Sequence, residues 1–411
     1  MENDRIYSLK DFELSLEVTA AERAREFQKY IDQINNSDYK SYWIETESSV
    51  GSTMKMSNNI SSVAFVSNDY LGLSQHPETK AAGIIALEKY GTGTCAAQPI
   101  GGYLDLHHRL EREIADFVGQ EDAILFSSGF GANSGILSAL LGKNDIAIID
   151  PFIHTSAMAG LGGTNIKRIV HNDVEHLDLV LRDAKDKYLT KMVIIDGVYS
   201  QDGDLSKLPE IIACCRKYDA MLMVDDAHGI GVMGENGRGT AEYFNCLGEI
   251  DIITGTFSKS FGCVGGFAAA SKKLIQYLRF YANTNVFSAA LTPQVTGSVL
   301  KALDLIKTQP ELRAKLWNNV NYLRNRLVSE HFDIGHSVSP IFPLMIRDNS
   351  KVYEIASYLQ KNGIFTLGIA YPAVRIKEAR LRISVLASHE VAHLDKLVDT
   401  LLLARKSLYD F

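Results

Sequence analysis

"MLMVDDAHGIG" (residues 221–231) opens on four apolar residues, turns acidic at Asp225-Asp226 and closes in a glycine-bracketed loop around His228. So short and continuous an apolar run predicts a strand covered on both faces, the kind found inside a parallel sheet. Similar runs stand on either side: "DAILF" (122–126), "IAIID" (146–150), "KMVIID" (191–196) and "IDIITGTF" (250–257). The segments between them, such as "LSKLPEIIACCRKYDA" (205–220), are long enough for crossover helices. "LHHRLEREIADFVG" (106–119) places Leu106, Leu110, Ile114 and Phe117 on one helical face and stops at Gly119. The pattern predicts an α/β fold with a mostly parallel sheet.

After about residue 295 the pattern changes. "TGSVLKALDLI" (296–306) and "ELRAKLWNNVNYLRNRLVSEH" (311–331) read as long helices. Strand candidates "FPLMI" (342–346) and "LRISVL" (381–386) flank a helix at 351–363, and a last helix covers 390–408. The expected division is an N-terminal arm (1–58), a large α/β domain (59–294) and a small C-terminal α+β domain (295–411).

The net charge of −7 is mild and spread along the chain, and no basic stripe favours nucleic acid or an anionic membrane surface. The first residues, "MENDRIYSLKDFELSL", are too charged for a signal peptide, and no apolar run is long enough for a transmembrane segment. Five cysteines at spacings that fit neither a C-x-x-C pair nor a zinc site predict free thiols in a reducing cytoplasm and no metal centre.

Ligands of open α/β sheets sit beyond the carboxyl ends of the strands. One such end is Ser128-Gly129-Phe130-Gly131, from which a helix is expected to begin near Asn133, a suitable cradle for phosphate or simply a tight turn. Gly-x-Gly-x-x-Gly fails at Ser134, and no P-loop motif exists, which weakens nicotinamide and nucleoside triphosphate readings. Asp225 ends a strand, where a carboxylate can pair with a protonated ring nitrogen, cap a helix or hold Mg²⁺. His154 follows "IAIIDPF" and suits either stacking on a flat cofactor or plain exposure. Ser200 and Thr256 offer hydroxyls, and Lys259 stands among small residues in "GTFSKSFG" (255–262), where an amine can form a Schiff base. A phosphate cradle, an acid, an imidazole and a lysine fit pyridoxal 5′-phosphate better than any other cofactor.

The order Ser128-Gly129-Phe130, His154, Ser200, Asp225-Asp226-Ala227-His228-Gly229, Thr256-Phe257-Ser258-Lys259 resembles the α-oxoamine synthases, pyridoxal-phosphate enzymes of fold type I. "SNDYLGLSQHP" (67–77), "ALEKYGTGT" (86–94), "HHRLEREIADFVG" (107–119) and "RLRISVLASH" (380–389) are also similar, so the resemblance runs from about residue 60 to 400. It implies that Lys259 binds the cofactor and shuttles the Cα proton. Asp225 would pair with the ring nitrogen and His154 stack on the ring, with His228 and Ser200 near the phenolic oxygen. Thr256, Ser128 and the Gly129-Phe130 backbone would hold the phosphate. Asn68 would lie near the lysine, and Arg382 would grip the substrate carboxylate. Ser288 and Thr292 match a stretch that reaches the partner subunit's phosphate, which implies a homodimer with a shared active site.

The implied reaction is decarboxylative condensation of a small amino acid with an acyl thioester, on coenzyme A or a carrier protein, to an α-aminoketone. Segments 301–327 and 339–349 look most like serine palmitoyltransferase of bacterial type, which favours serine or a close analogue such as cysteate. The family also contains 8-amino-7-oxononanoate synthase and 2-amino-3-ketobutyrate ligase, whose substrate pairs are the alternatives. An aminotransferase or lyase, and a non-catalytic subunit that keeps the fold, are the rival readings; Lys259 and Asp225 argue against the last. The chain departs from the family where Ala97-Gln98 replaces Ser-Arg and Gly101 stands where Asn is frequent. Arg375, where a proline is usual, is expected to be exposed.

Overall fold

In the computed structural model, which describes residues 9–12, 17–36, 42–57, 61–409 and 411, β1 (Thr53–Lys55) pairs antiparallel with β2 (Ser61–Ala64). Seven further strands build the large sheet: β3 (Asp122–Phe126), β4 (Ile146–Ile149), β5 (Asn165–Arg168), β6 (Lys191–Asp196), β7 (Met221–Asp225), β8 (Ile252–Thr256) and β9 (Gly266–Ala270). Their spatial order is β3-β9-β8-β7-β6-β4-β5, parallel throughout except for β9, which runs against both neighbours. Every residue of β4, β6, β8 and β9 is buried, as the unbroken apolar runs demand. The helix Gly129–Leu140 lays Ile136 and Leu137 on Ile124, Ile149, Ile194 and Met223 of the sheet. Each such side chain, fully buried, contributes about 1.5–3 kcal/mol.

β5 and β9 were not expected. β5 reads "NIKR", exposed along its whole length at the sheet edge, where charge suits a strand with one open side. β9 reads "GFAAA", too small to register as a strand, yet it crosses the closely packed start of the helix Gly129–Leu140. That helix also begins four residues before the expected Asn133, because Ser128 caps it: Ser128 Oγ accepts from Gly131 N at 2.9 Å. The amphipathic helix Asp105–Val118 stops at Gly119 as expected, with Leu110 and Ile114 fully buried.

The chain divides into two compact units, residues 68–317 and residues 1–67 with 318–411. This is not the division expected at 58 and 294, and residues 1–8, 13–16, 37–41 and 58 of the expected arm lie outside the described residues. Two nonlocal contacts explain the difference. β2 pairs in parallel with β11 (Ile364–Phe365), which ties residues up to 67 to the C-terminal part. The helix Pro293–Thr308 packs closely on Pro77–Tyr90, where a Cβ on Gly297 would stand 2.7 Å from Ala86 Cβ, and so belongs to the large unit. The boundary instead falls inside the helix Pro310–Ser329. The smaller unit holds a second antiparallel sheet, β10 (Ile341–Met345), β13 (Arg380–Ser384) and β12 (Leu367–Ile369), in that order. No helix among the described residues is long and apolar enough to cross a membrane.

Candidate active site

The register of the large sheet sets Asp196, Asp225 and Thr254 side by side near the carboxyl ends of β6, β7 and β8. Asp225 Oδ1 accepts from Ala227 N at 3.0 Å, and Oδ2 accepts from Asn133 Nδ2 at 2.6 Å. Asn133 Nδ2 also donates to Ser156 Oγ at 2.9 Å, while Thr254 Oγ1 donates to Asn133 Oδ1 at 2.7 Å. Ser156 Oγ lies 2.7 Å from His154 Nδ1, which also accepts from Ser156 N at 3.3 Å. His154 caps the short helix Thr155–Ala159, with its ring partly buried and the residue otherwise open to solvent. Burial pulls its imidazole below the ordinary histidine value and Lys259 adds to this, against the pull of Asp225.

Lys259 sits in a tight turn after β8. Gly262 N donates to Lys259 O at 2.8 Å and Cys263 N to Phe257 O at 2.8 Å. Phe257 and Phe261, both buried, meet edge to face at 5.3 Å and anchor the turn. Gly262 takes φ +65° with no room for a Cβ, which would stand 2.2 Å from Ser74 N. The charge of Lys259 reaches His154, Asp196 and Asp226. Burial, then the neighbouring Asp225, pushes the Asp196 carboxyl well above the carboxylate range. Burial lifts Asp226 to about 7 although Thr240 N–H hydrogen-bonds to it.

The start of the helix Gly129–Leu140 lies directly on the sheet. A Cβ on Gly129 would come within 2.9 Å of Thr256 Cβ, and one on Gly266 within 2.6 Å of Gly129 Cα. First-turn N–H groups such as those of Gly129 and Phe130 have no intrahelical acceptor, and they lie beside the Thr256 and Ser258 hydroxyls, which are 2.5 Å apart. On the other flank Tyr70, fully buried, bonds to His228 Nδ1 at 2.7 Å and to Asn68 Oδ1 at 3.3 Å. Thus Asn68, Ser128, Gly129, His154, Asp225, His228, Thr256 and Lys259 all belong to one unit, around the carboxyl ends of its strands.

Ser200 occupies the turn after β6, which a second, partly buried cluster steadies. His171 Nδ1 lies 2.9 Å from Asp150 Oδ1 and Nε2 lies 3.0 Å from Asp204 Oδ2, with the Phe152 and Tyr199 rings against the imidazole. Asp150 also accepts from Phe152 N, so His171 joins the loop leading to His154 with the turn bearing Ser200. Burial lowers the His171 pKa, but its two aspartate hydrogen bonds overcome this and raise it to about 9.

Ser288 and Thr292 lie on the connection into the helix Pro293–Thr308, whose backbone bridges to Ala96-Ala97. Among the described residues, neither hydrogen-bonds to the cluster around Lys259. Gln98 turns inward and donates to Leu125 O at 3.3 Å. Arg382 is in the other unit, in β13, where Nη1 donates to Ser384 Oγ at 2.8 Å. Arg375 is exposed, beside Glu378.

Asn133, Ser156 and Tyr70 escaped the sequence reading. The expected helix start put Asn133 at the terminus instead of in the second turn facing the sheet; Ser156 belongs to no spacing motif, and Tyr70 lies in the family-like "SNDYLGLSQHP", where nothing in the spacing singles it out.

The donors fit pyridoxal phosphate: open helix-terminal N–H groups beside two hydroxyls for a dianion, a fixed carboxylate for a ring nitrogen, an imidazole and a primary amine. The sequence model of the aminotransferase class I and II family matches residues 61–401. An 8-amino-7-oxononanoate synthase of Thermoanaerobacter pseudethanolicus is 43% identical over 331 residues, 80% of this chain and 84% of its own. A serine palmitoyltransferase of Sphingobacterium spiritivorum is 40% identical over 337 residues, 82% of this chain and 84% of its own. A solved serine palmitoyltransferase with its pyridoxal-phosphate internal aldimine superposes with a TM-score of 0.88 at 31% identity, over 93% of this chain and 98% of that one. The chain belongs to the class I and II aminotransferase family and, within it, to the α-oxoamine synthases, acyltransferases that depend on pyridoxal phosphate.

Proposed function

We propose that the protein condenses serine, or a close analogue such as cysteate, with a long-chain acyl thioester. The products are an α-aminoketone, CO₂ and the free thiol. One observation carries the cofactor chemistry: Asp225, fixed by Asn133 and Ala227, shares its strand ends with the turn that presents Lys259; the likeness to acyltransferases of the family supports the condensation. The likeness to serine palmitoyltransferase over most of the chain supports the amino acid.

Lys259 is the residue that would hold the cofactor covalently. Ser128, Thr256 and the Gly129-Phe130 amides would take the phosphate, Asp225 the ring nitrogen and His154 the ring face, with His228 and Ser200 at the phenolic oxygen. When bound, the cofactor supplies an electron sink for the amino acid's Cα. The family resemblance assigns the α-carboxylate to Arg382, whose planar guanidinium suits that task. Lys259 Nζ accepts the Cα proton. Asn68 and Tyr70 keep His228 directed at the site. Ser288 and Thr292 serve the partner's phosphate in a homodimer, and the enzyme works in the cytoplasm.

The test is CO₂ release from glycine, alanine, serine or cysteate, each with and without palmitoyl-CoA, beside the visible spectrum of the loaded protein. Thioester-dependent release with serine or cysteate alone supports the proposal. Release without thioester, or none from any pair, overturns it. The second reading is alanine with a dicarboxylic acyl thioester, favoured by the 43% identity to an 8-amino-7-oxononanoate synthase; release with alanine and pimeloyl-CoA would select it.

A further inference from the structure

We infer that Asn133 and Ser156 form a relay that sets two groups at once: the carboxylate of Asp225 and the tautomer of His154. A carboxylate oxygen only accepts, so the 2.6 Å contact with Asp225 Oδ2 fixes which end of the Asn133 amide is nitrogen. Its oxygen then faces Thr254, whose hydroxyl must donate at 2.7 Å. The second Nδ2 hydrogen goes to Ser156 Oγ at 2.9 Å and takes one of its two lone pairs. The Ser156 hydroxyl hydrogen is left for His154 Nδ1, 2.7 Å away. Nδ1 also receives the Ser156 backbone N–H, so it carries no proton, and the ring hydrogen must sit on Nε2.

Each link is sealed from water: Asn133 is 3% exposed, Ser156 0% and Thr254 1%. A buried donor that loses its partner is costly, so the directions cannot be reversed piecemeal. The charged groups facing His154 are Asp225 and Lys259, with Asp196 Oδ1 accepting from the His154 backbone N at 3.4 Å. The lowered pKa of His154 agrees with an imidazole whose Nδ1 meets only donors. Asn133 and Ser156 are positioning residues, acting on the reaction through Asp225 and His154.

This inference rests on the proposed pyridoxal-phosphate site, but its first readout needs no cofactor. Long-range ¹H–¹⁵N NMR of the apoprotein reports the His154 tautomer and its pKa. The wild type is expected to show Nε2–H alone and to protonate below the usual histidine range. Ser156→Ala leaves Nδ1 only the longer backbone N–H at 3.3 Å, so the Nδ1–H tautomer should appear in part and that pKa should rise, while the affinity for pyridoxal phosphate stays within about threefold. Asn133→Ala should disturb His154 as well and weaken pyridoxal-phosphate binding by roughly ten- to a hundredfold, the loss expected when a charged acceptor loses its donor. If Asn133→Ala fails to fold, Ser156→Ala, one oxygen smaller, still decides the tautomer. An unchanged His154 spectrum in Ser156→Ala overturns the relay. A wild type that shows this tautomer but binds no pyridoxal phosphate sinks the functional proposal and leaves the relay standing.

Discussion

At the scale of single residues, Lys259 and His171 give the sharpest expectations. Lys259→Ala should lower turnover by about 10³-fold or more, the reach of a positioned proton-transfer group, while the fold persists; steady-state CO₂ release and circular dichroism check both parts. His171 has its folded pKa raised to about 9 against an ordinary value near 6.5. Its contribution to stability is therefore complete below about pH 6.5 and disappears as pH rises through 9. The wild type should melt higher than His171→Gln at pH 6, by a margin worth about 1–3 kcal/mol, and the margin should shrink toward zero by pH 10. A margin independent of pH would refute the aspartate clamp. Lys259, Asp225, His154 and His228 could be picked out of the sequence because a charged or titratable residue just past an apolar run is itself a signal. Asn133 and Ser156 could not: an amide and a hydroxyl among small residues look like helix filler until the sheet beneath them is known.

At the scale of elements, the apolar runs translated directly into β3, β4, β6, β7 and β8, since burial on both faces leaves no other composition. β9 and β5 follow a different logic, one shaped by the close approach of a helix and the other by its exposed edge, and neither leaves a hydrophobic trace. The crossing of Pro293–Thr308 over Pro77–Tyr90 depends on small residues. Gly297→Val would force a side chain against Ala86 and the Ala82 carbonyl. Overpacking of that kind costs about 1–3 kcal/mol, and the melting temperature should fall by several degrees in a thermal scan. Ser128→Ala should cost about 1 kcal/mol from the lost cap and should also weaken phosphate-bearing ligands at the same helix terminus. A pyridoxal-phosphate titration separates the two effects, because pyridoxal lacking the phosphate should be unaffected.

At the scale of the whole molecule, the domain boundaries were the least legible feature, because β2 and β11 are far apart in the chain and their pairing has no local signature. The proposed homodimer makes a quantitative claim. Thr292 is the N-cap of its helix, a place that tolerates Asp, so Thr292→Asp should fold normally while setting a negative charge against the partner's phosphate. Mixed and re-equilibrated with Lys259→Ala, each variant nearly inactive alone, it should restore roughly a quarter of wild-type activity: half the dimers are mixed, and each has one intact site. No restoration, with dimers present by light scattering, would mean that the site is not shared.

The seat of Gly262 against Ser74 also bears on how the enzyme matures. The turn that presents Lys259 takes its shape only against a segment made much earlier in synthesis, and strands added in between must first find their order in the sheet. A ribosome-bound chain that has exposed the helix Gly129–Leu140 still lacks the lysine's mould. Cofactor capture is thus a late event, gated by completion of the large unit, and truncated chains ending before residue 262 should emerge from translation colourless.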